Sequence, residues 1–307
     1  MTEKMFFIIN PNAQNEQSLD IWKRMKVILD EKKENYDFFM TEYPMHASKI
    51  AKEILDENNS AFIIAVGGDG TAHEVANGVA EYPNAKLGYI AAGSGNDFCR
   101  GTHIPINPEE ALHMILDKNH PVKKIDIGVY ETDHKGYFLS SMGMGIDADV
   151  TAEVNDSPLK ATFNRVKLGK LAYLYTFFKS IATYKFPNIK VTIDGNTKEY
   201  KKVWIVNLAN QKYFGGGIPI SPNARMDNGV FHVLIAHSYS RLRIFFMFFS
   251  IIWAGHILLE KCDYLTGENI QIEADMDKVI HADGEIVGSK KLEIRILPKQ
   301  VNVVCHL

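Results

Sequence analysis

Short apolar runs alternate with amphipathic stretches through the first third of the chain. Met5–Asn10 reads as a strand, and Ser18–Lys33 has helical spacing in Leu19, Trp22, Met25 and Leu29. Tyr36–Met40 predicts a second strand with Thr41 at its end. His46–Leu55 predicts a second helix, with Ile50 and Ile54 four apart. Ala61–Val66 is an unbroken, β-branched run suited to a buried strand, and Leu87–Ala91 is a fourth strand. Thr71 followed three residues later by Glu74 has the form of a capping box, which predicts a helix from Thr71 to Val79. Asn107-Pro108 would open another, with Asn as N-cap and Pro at the first helical position. Such β-α alternation predicts a mostly parallel sheet with helices on its faces.

Near Ile125–Val129 the pattern changes. Strand-like runs now dominate: Tyr137–Ser141, Ile189–Ile193, Lys202–Leu208, Val230–Ala236, Asn269–Ala274, Lys278–Ala282, Lys291–Ile296 and Gln300–Cys305. Asp194-Gly195 is a hairpin-turn pair. A second, antiparallel β domain follows, interrupted by two helical stretches, Lys170–Tyr184 and Arg241–Lys261. Ile244–Leu259 is almost all apolar, relieved only by Ser250, Gly255 and His256. It is short for a membrane span, which needs about 20 residues. A buried core helix and an interfacial helix both fit it, and Arg241 and Arg243 just before it suit anionic headgroups or solvent.

The chemistry concentrates at loops that follow predicted strands. Gly67-Gly68-Asp69-Gly70-Thr71 joins a strand to a helix. Its glycines let backbone approach a bulky ligand, and a new helix N-terminus offers N–H groups and partial positive charge to phosphate. Asp69 suits phosphate only if a cation stands between them. The bland alternative is a tight turn without a ligand. Neither G-x-x-x-x-G-K-[ST] nor G-x-G-x-x-G is present. Asn10-Pro11-Asn12-Ala13-Gln14, Thr41 and Gly93-Ser94-Gly95-Asn96-Asp97 also follow strands. All of these fall on one edge of the sheet, where one nucleotide would touch them together.

At 307 residues, 46% apolar and 23% charged, the chain has room for two ordinary domains. A net charge of −3 gives no electrostatic case for nucleic acid. Cys99, Cys262 and Cys305 lie far apart, against a disulfide framework or zinc site and in keeping with a reducing compartment. The apolar run Phe6–Ile9 is too short for a signal peptide. His73 reads as a helix-surface residue beside the glycine loop; His232, His237 and His256 show no ligand spacing.

With Gly67-Gly-Asp-Gly-Thr71 and Gly93-Ser-Gly-Asn-Asp97, the chain resembles the diacylglycerol kinase catalytic-domain family, nearly end to end. The likeness takes in Asn10-Pro11, Asp126 in Lys124-Ile-Asp-Ile-Gly128, a strand over Phe138–Val150 with Gly143-Met-Gly145, Gly215-Gly-Gly217, Pro222-x-Ala224, Asp227-Asn228-Gly229 and Asp283-Gly284-Glu285. NAD kinases share the Gly-Gly-Asp-Gly core, but Gly-Asn-Asp-Phe98 and the late Asp-Gly-Glu look more like the lipid kinases. The resemblance implies an N-terminal three-layer α/β domain (1–128) that carries ATP. It also implies a C-terminal antiparallel β-sandwich (129–307), whose last strands return to the first domain, and an active site in the cleft between the two.

The implied reaction moves the ATP γ-phosphoryl group to a lipid hydroxyl, foremost from diacylglycerol to phosphatidic acid. Gly67, Gly68, Gly70 and Thr71 would hold phosphates, and Asn10, Pro11, Asn12, Thr41, Ser94, Gly95 and Asn96 would meet the nucleotide. Asp69, Asp97 and Asp126 resemble the acidic network around Mg²⁺. From the residues alone, Asp97 is equally a helix N-cap and Asp126 a polar strand end. Asp283 or Glu285 would accept the hydroxyl proton, although Asp-Gly is also a common hairpin pair. The chain departs from the family pattern where Ala13-Gln14 replace Ser-Gly, and at Asp227-Asn228, where two aspartates are usual. Some bacterial relatives bind a second, structural Mg²⁺ there, and Asn is a weaker, neutral ligand.

The expected setting is cytoplasmic and peripheral to a membrane, with no transmembrane span and a lipid substrate as partner. An exposed strand edge would let two copies pair. Other acceptors (phosphatidylglycerol, a sphingoid base, a soluble hydroxyl compound) are alternatives, as is a regulatory nucleotide-binding protein. Retention of all five acidic residues argues against the last.

Overall fold

The structure is a computed structural model that describes residues 3–14, 17–58, 60–132, 134–156, 169–251, 253–289 and 291–307. It divides into two compact units, Met1–Ile127 with Pro298–Leu307, and Gly128–Leu297.

The first unit is built on parallel strands β1 (Met5–Ile9), β2 (Tyr36–Met40), β3 (Phe62–Gly67) and β4 (Lys86–Ala91), in spatial order β2-β1-β3-β4. β1 and β3 are buried along their whole length, as continuous apolar runs covered on both faces must be. β2 is the exposed edge. Near the end of the chain, Asn302 and Val303 pair in parallel with Lys86 and Leu87. The helices are α1 (Gln17–Lys32), α2 (His46–Asn58), α3 (Asp69–Val79), the short α4 (Asp97–Thr102) and α5 (Pro108–Leu116). α1 buries Trp22, Met25 and Leu29, and Trp22 meets Phe7 of β1 at 5.2 Å between ring centroids. Asn107 caps α5 by accepting from the amides of Glu109 and Glu110.

The second unit contains β5 (Val122–Glu131, which begins in the first unit), β6 (Lys135–Phe138), β7 (Ser141–Gly145), α6 (Ile146–Asp156), α7 (Gly169–Thr183), β8 (Ile189–Ile193), β9 (Asn196–Tyr200), β10 (Val203–Ala209) and β11 (Phe231–His237). α8 (Arg241–Ile251), a 3₁₀ turn (Gly255–Leu258), β12 (Cys262–Gly267), β13 (Asn269–Ala274), β14 (Val279–Ala282), β15 (Glu285–Ser289) and β16 (Lys291–Val304) follow. One antiparallel sheet has the order β12-β11-β10-β7-β14-β15. An antiparallel run β16-β13-β8-β9 lies against it. The two share a core that includes Met142, Val206, Leu208, Phe231 and Ile280 from the first and Val191, Ile272 and Leu292 from the second. The opposite face of the six-stranded sheet is covered by Ile146, Val150, Ile244 and Met247 of the helices. Alternate residues of its strands are therefore buried on both sides.

Several elements differ from expectation. α3 begins at Asp69 rather than Thr71, with Gly68 as N-cap and no side-chain cap. Glu74 instead accepts from the Ala47 amide in the first turn of α2. His73 is buried, because α3 is packed on most of its circumference. Residues 146–150 are helical, not strand; Gly145 ends β7 with φ +145°, close against Trp204 O, where a Cβ would collide. The 241–261 stretch is not one helix: α8 stops at Ile251, Ala254 takes a left-handed φ of 56°, and the 3₁₀ turn follows. Residues 291–296 and 300–305 belong to a single strand, β16, that passes through Pro298 and ends at Val304. β12 and β15 were not legible as strands. Among the described residues no helix is long and apolar enough to cross a membrane.

Candidate active site

The carboxyl ends of the parallel strands converge. The Asn10 amide donates to Val66 O at 3.0 Å, Thr41 to Ile9 O at 2.8 Å and Ala92 to Gly67 O at 2.7 Å. The polar residues just beyond β1 to β4 thus stand in one row. Asn10 Nδ2 donates to Thr71 Oγ1 at 3.3 Å, linking the first loop to α3. The Thr71 hydroxyl is buried against Gly67, whose lack of a Cβ makes room for it. It is a packing and hydrogen-bonding group rather than the open phosphate ligand expected.

The two glycine segments meet backbone to backbone. A Cβ on Gly93 would lie 2.6 Å from Gly68 Cα, so no larger residue fits without movement. Asn96 turns the second segment with a left-handed φ of 55° and accepts from the Gly93 amide at 3.2 Å. Arg100 braces it, donating through Nη1 to Gly95 O at 2.7 Å and Asn96 O at 3.1 Å. Ser94 is exposed at its tip.

Two carboxylates border this junction. Asp69 Oδ1 accepts from the Phe98 amide at 3.1 Å. A Cβ on Gly95 would lie 2.6 Å from Asp69 Oδ2 and 3.9 Å from Asp97 Oδ2, so both acids face the same glycine. Beneath them Tyr89 donates to Gly67 O at 3.1 Å, and burial, with the nearby charges of Asp69 and Asp97, pushes its hydroxyl well above the usual range. Asp97 is the first residue of α4 rather than its cap, a place Asn96 takes.

Residues 4–130 match the family model of the diacylglycerol kinase catalytic domain, and residues 140–305 match that of the YegS C-terminal NAD kinase beta sandwich-like domain. The chain belongs to the diacylglycerol kinase catalytic-domain family. A Bacillus subtilis (strain 168) protein named "Putative lipid kinase YtlR" is 28% identical, covering 97% of this chain and 98% of its own length. A diacylglycerol kinase of Staphylococcus aureus (strain MRSA252) is 28% identical over 99% of this chain and 92% of its own. The crystal structure of a diacylglycerol kinase from Bacillus anthracis str. Sterne matches with a TM-score of 0.77 at 24% identity, over 99% and 97% of the two chains, which shows the fold.

Membership makes the chain a kinase-family protein. An uncapped helix N-terminus faces the glycine junction, and Asp69 and Asp97 stand beside it. Among the described residues no three His, Cys, Asp or Glu side chains converge to hold a metal directly. Mg²⁺ ordinarily takes only one or two carboxylates and fills its remaining positions with water and phosphate, so the Asp69–Asp97 pair fits it. Asp126 is fully buried on β5 and accepts from the Lys299 amide at 2.8 Å. It braces the chain where it passes Pro298.

In the second unit, Asp283 and Gly284 form the two-residue turn between β14 and β15, with φ of 50° and 90°. Asp283 accepts from three amides, Leu139 and Ser140 at 2.8 Å and Ser141 at 3.0 Å. Glu285 is exposed at the start of β15 and makes no hydrogen bond or ion pair. At the other region read as a metal site, both oxygens of Asp227 accept from Arg225 at 2.9 Å, and Asn228 accepts from the Val230 amide. The Asp227 carboxylate is thus paired with an exposed guanidinium. Arg100 and Tyr89 escaped the sequence reading; only the i, i+4 spacing of Asn96 and Arg100 hinted at the brace.

Proposed function

We propose that this protein is an ATP-dependent lipid kinase that phosphorylates diacylglycerol to phosphatidic acid. The observation that carries the reading is the pair of carboxylates, Asp69 and Asp97, set at a glycine junction beside an uncapped helix N-terminus. Phosphoryl transfer asks a protein mainly for positioning and charge neutralisation. Backbone amides at Gly68–Gly70 receive the phosphates, Asn10 and Thr41 border the nucleotide, and Asp69 and Asp97 hold Mg²⁺. When bound, the cation offsets phosphate charge as the γ-phosphoryl group leaves.

Glu285 accepts the proton of the lipid hydroxyl. It is exposed and uncommitted, whereas the Asp283 oxygens already serve three amides. A lipid acceptor is supported by exposed apolar side chains that an aqueous substrate would not call for. Leu242, Phe246 and Phe249 on α8, Trp253 (77% exposed) and Leu258 (85%) leave large apolar surface in water. Arg241 and Arg243 open the same helix, a combination suited to an anionic membrane face. The test is transfer of labelled phosphate from ATP to diacylglycerol in mixed micelles; ATP binding without transfer to any lipid would contradict it.

A further inference from the structure

One polar row on the helix-covered face of the six-stranded sheet crosses three neighbouring strands. Val206 and Leu208 of β10, Met142 and Met144 of β7, and Ile280 and Ala282 of β14 all enter the sandwich core. Their alternates Asn207, Gly143 and His281 therefore lie on the other face. These three are paired directly across the strands, Asn207 with Gly143 and Gly143 with His281. Asp147, in the first turn of α6, closes over the row: a Cβ on Gly143 would lie 3.1 Å from both Asp147 Oδ2 and His281 Nε2. The missing side chain at 143 is what lets this pair settle on the sheet.

His281 Nε2 bonds Asp147 Oδ2 at 3.0 Å. A carboxylate only accepts, so Nε2 donates in this bond. Four atoms on this face have no protein partner: Nδ2 and Oδ1 of Asn207, Oδ1 of Asp147 and Nδ1 of His281. Asn207 and His281 are 0% exposed and Asp147 9%. Buried polar atoms are nearly always bonded, to protein or to an ordered small molecule. The Asn207 amide offers donors while its own Oδ1 and Asp147 Oδ1 accept, so the complement is a species that both donates and accepts. An anion would face the Asp147 carboxylate, and the described residues bring no three metal-binding side chains together. A hydroxyl meets the requirement.

We infer that Asn207, Asp147 and His281 form a buried site for a small neutral hydroxyl group, supplied either by a fixed water molecule or by the head of an alcohol. Only the second source rests on the kinase reading. Asn207→Leu tests it, because Leu has nearly the same shape and no polar atom. If nothing bonds Asn207, removing its amide relieves a desolvation cost and the melting temperature holds or rises. If a hydroxyl bridges the site, Leu strands the remaining partners and the melting temperature falls by about 3 to 8 °C. The fall is the expected result; an unchanged or raised value overturns the proposal. With transfer activity in hand, an acceptor KM raised about tenfold assigns the site to the alcohol. An unchanged KM with the same fall in melting temperature assigns it to water. Should the variant not fold, a crystal structure of the unaltered protein fine enough to show waters decides. Density within hydrogen-bond reach of Asn207 and of Asp147 Oδ1 or His281 Nδ1 upholds the site, and a dry space there overturns it.

Discussion

The Phe98 amide donates to Asp69 Oδ1 at 3.1 Å, across 29 residues of sequence. That bond ties the first turn of α3 to the first turn of α4, and so one glycine segment to the other. It leaves Asp69 Oδ2 directed at Gly95, on the side where Asp97 also stands. Structural and chemical duties are thereby divided between the two oxygens of one carboxylate.

Asp69→Asn separates these duties. The amide oxygen keeps an acceptor for Phe98, while the charge that would hold the cation is lost. Phosphate transfer should fall on the order of 10³-fold, with the melting temperature within a few degrees of the parent. Calorimetric unfolding and initial rates on the same preparation check both halves.

The acids of the β14–β15 turn should behave differently from one another. Asp283→Asn replaces a carboxylate that serves three amides, and urea unfolding should show a loss of about 2–3 kcal/mol. Glu285→Gln removes an exposed, unbonded acid. Its stability should stay within about 0.5 kcal/mol of the parent, while kcat falls about 10²- to 10⁴-fold.

Phe246→Ser with Trp253→Ser should weaken binding to anionic vesicles by about tenfold or more, since both rings are exposed. Each substitution should leave stability nearly unchanged. Vesicle sedimentation with the folded double variant reads the first, and thermal unfolding the second.

Burial lowers the imidazoles of His232 and His256 below their ordinary value of 6.5; for His256 the bond to Ile220 O opposes this in part. The unfolded chain therefore binds more protons than the native protein just below pH 6.5, and stability rises with pH there. This contribution is complete above pH 6.5 and is lost as pH falls. The urea midpoint should be lower at pH 5.5 than at 7.5, and His256→Gln, which keeps a donor for Ile220, should flatten the difference.

Much of the first unit was legible because its strands are continuous apolar runs and its loops carry the glycines. What failed there depended on distant partners. The Thr71–Glu74 spacing is that of a capping box, yet Glu74 is drawn to Ala47, and Thr71 to Asn10 and Gly67. The bond from the Lys299 amide to Asp126 was equally hidden, because nothing local reveals that Lys299 comes back to it. In the second unit, Pro298 split one strand into two apparent ones. The helix after Gly145 was hidden by a motif that continues the preceding strand. The three amides that Asp283 accepts from were hidden too, since only the fold brings residues 139–141 to it.

The most direct test of the central claim is transfer of the γ-phosphate of labelled ATP, with Mg²⁺, to diacylglycerol in anionic micelles, using the parent protein and Asp69→Asn side by side. Labelled phosphatidic acid from the parent, and almost none from the variant, is the predicted result. A parent that binds ATP but labels no lipid, or a variant as active as the parent, would contradict it.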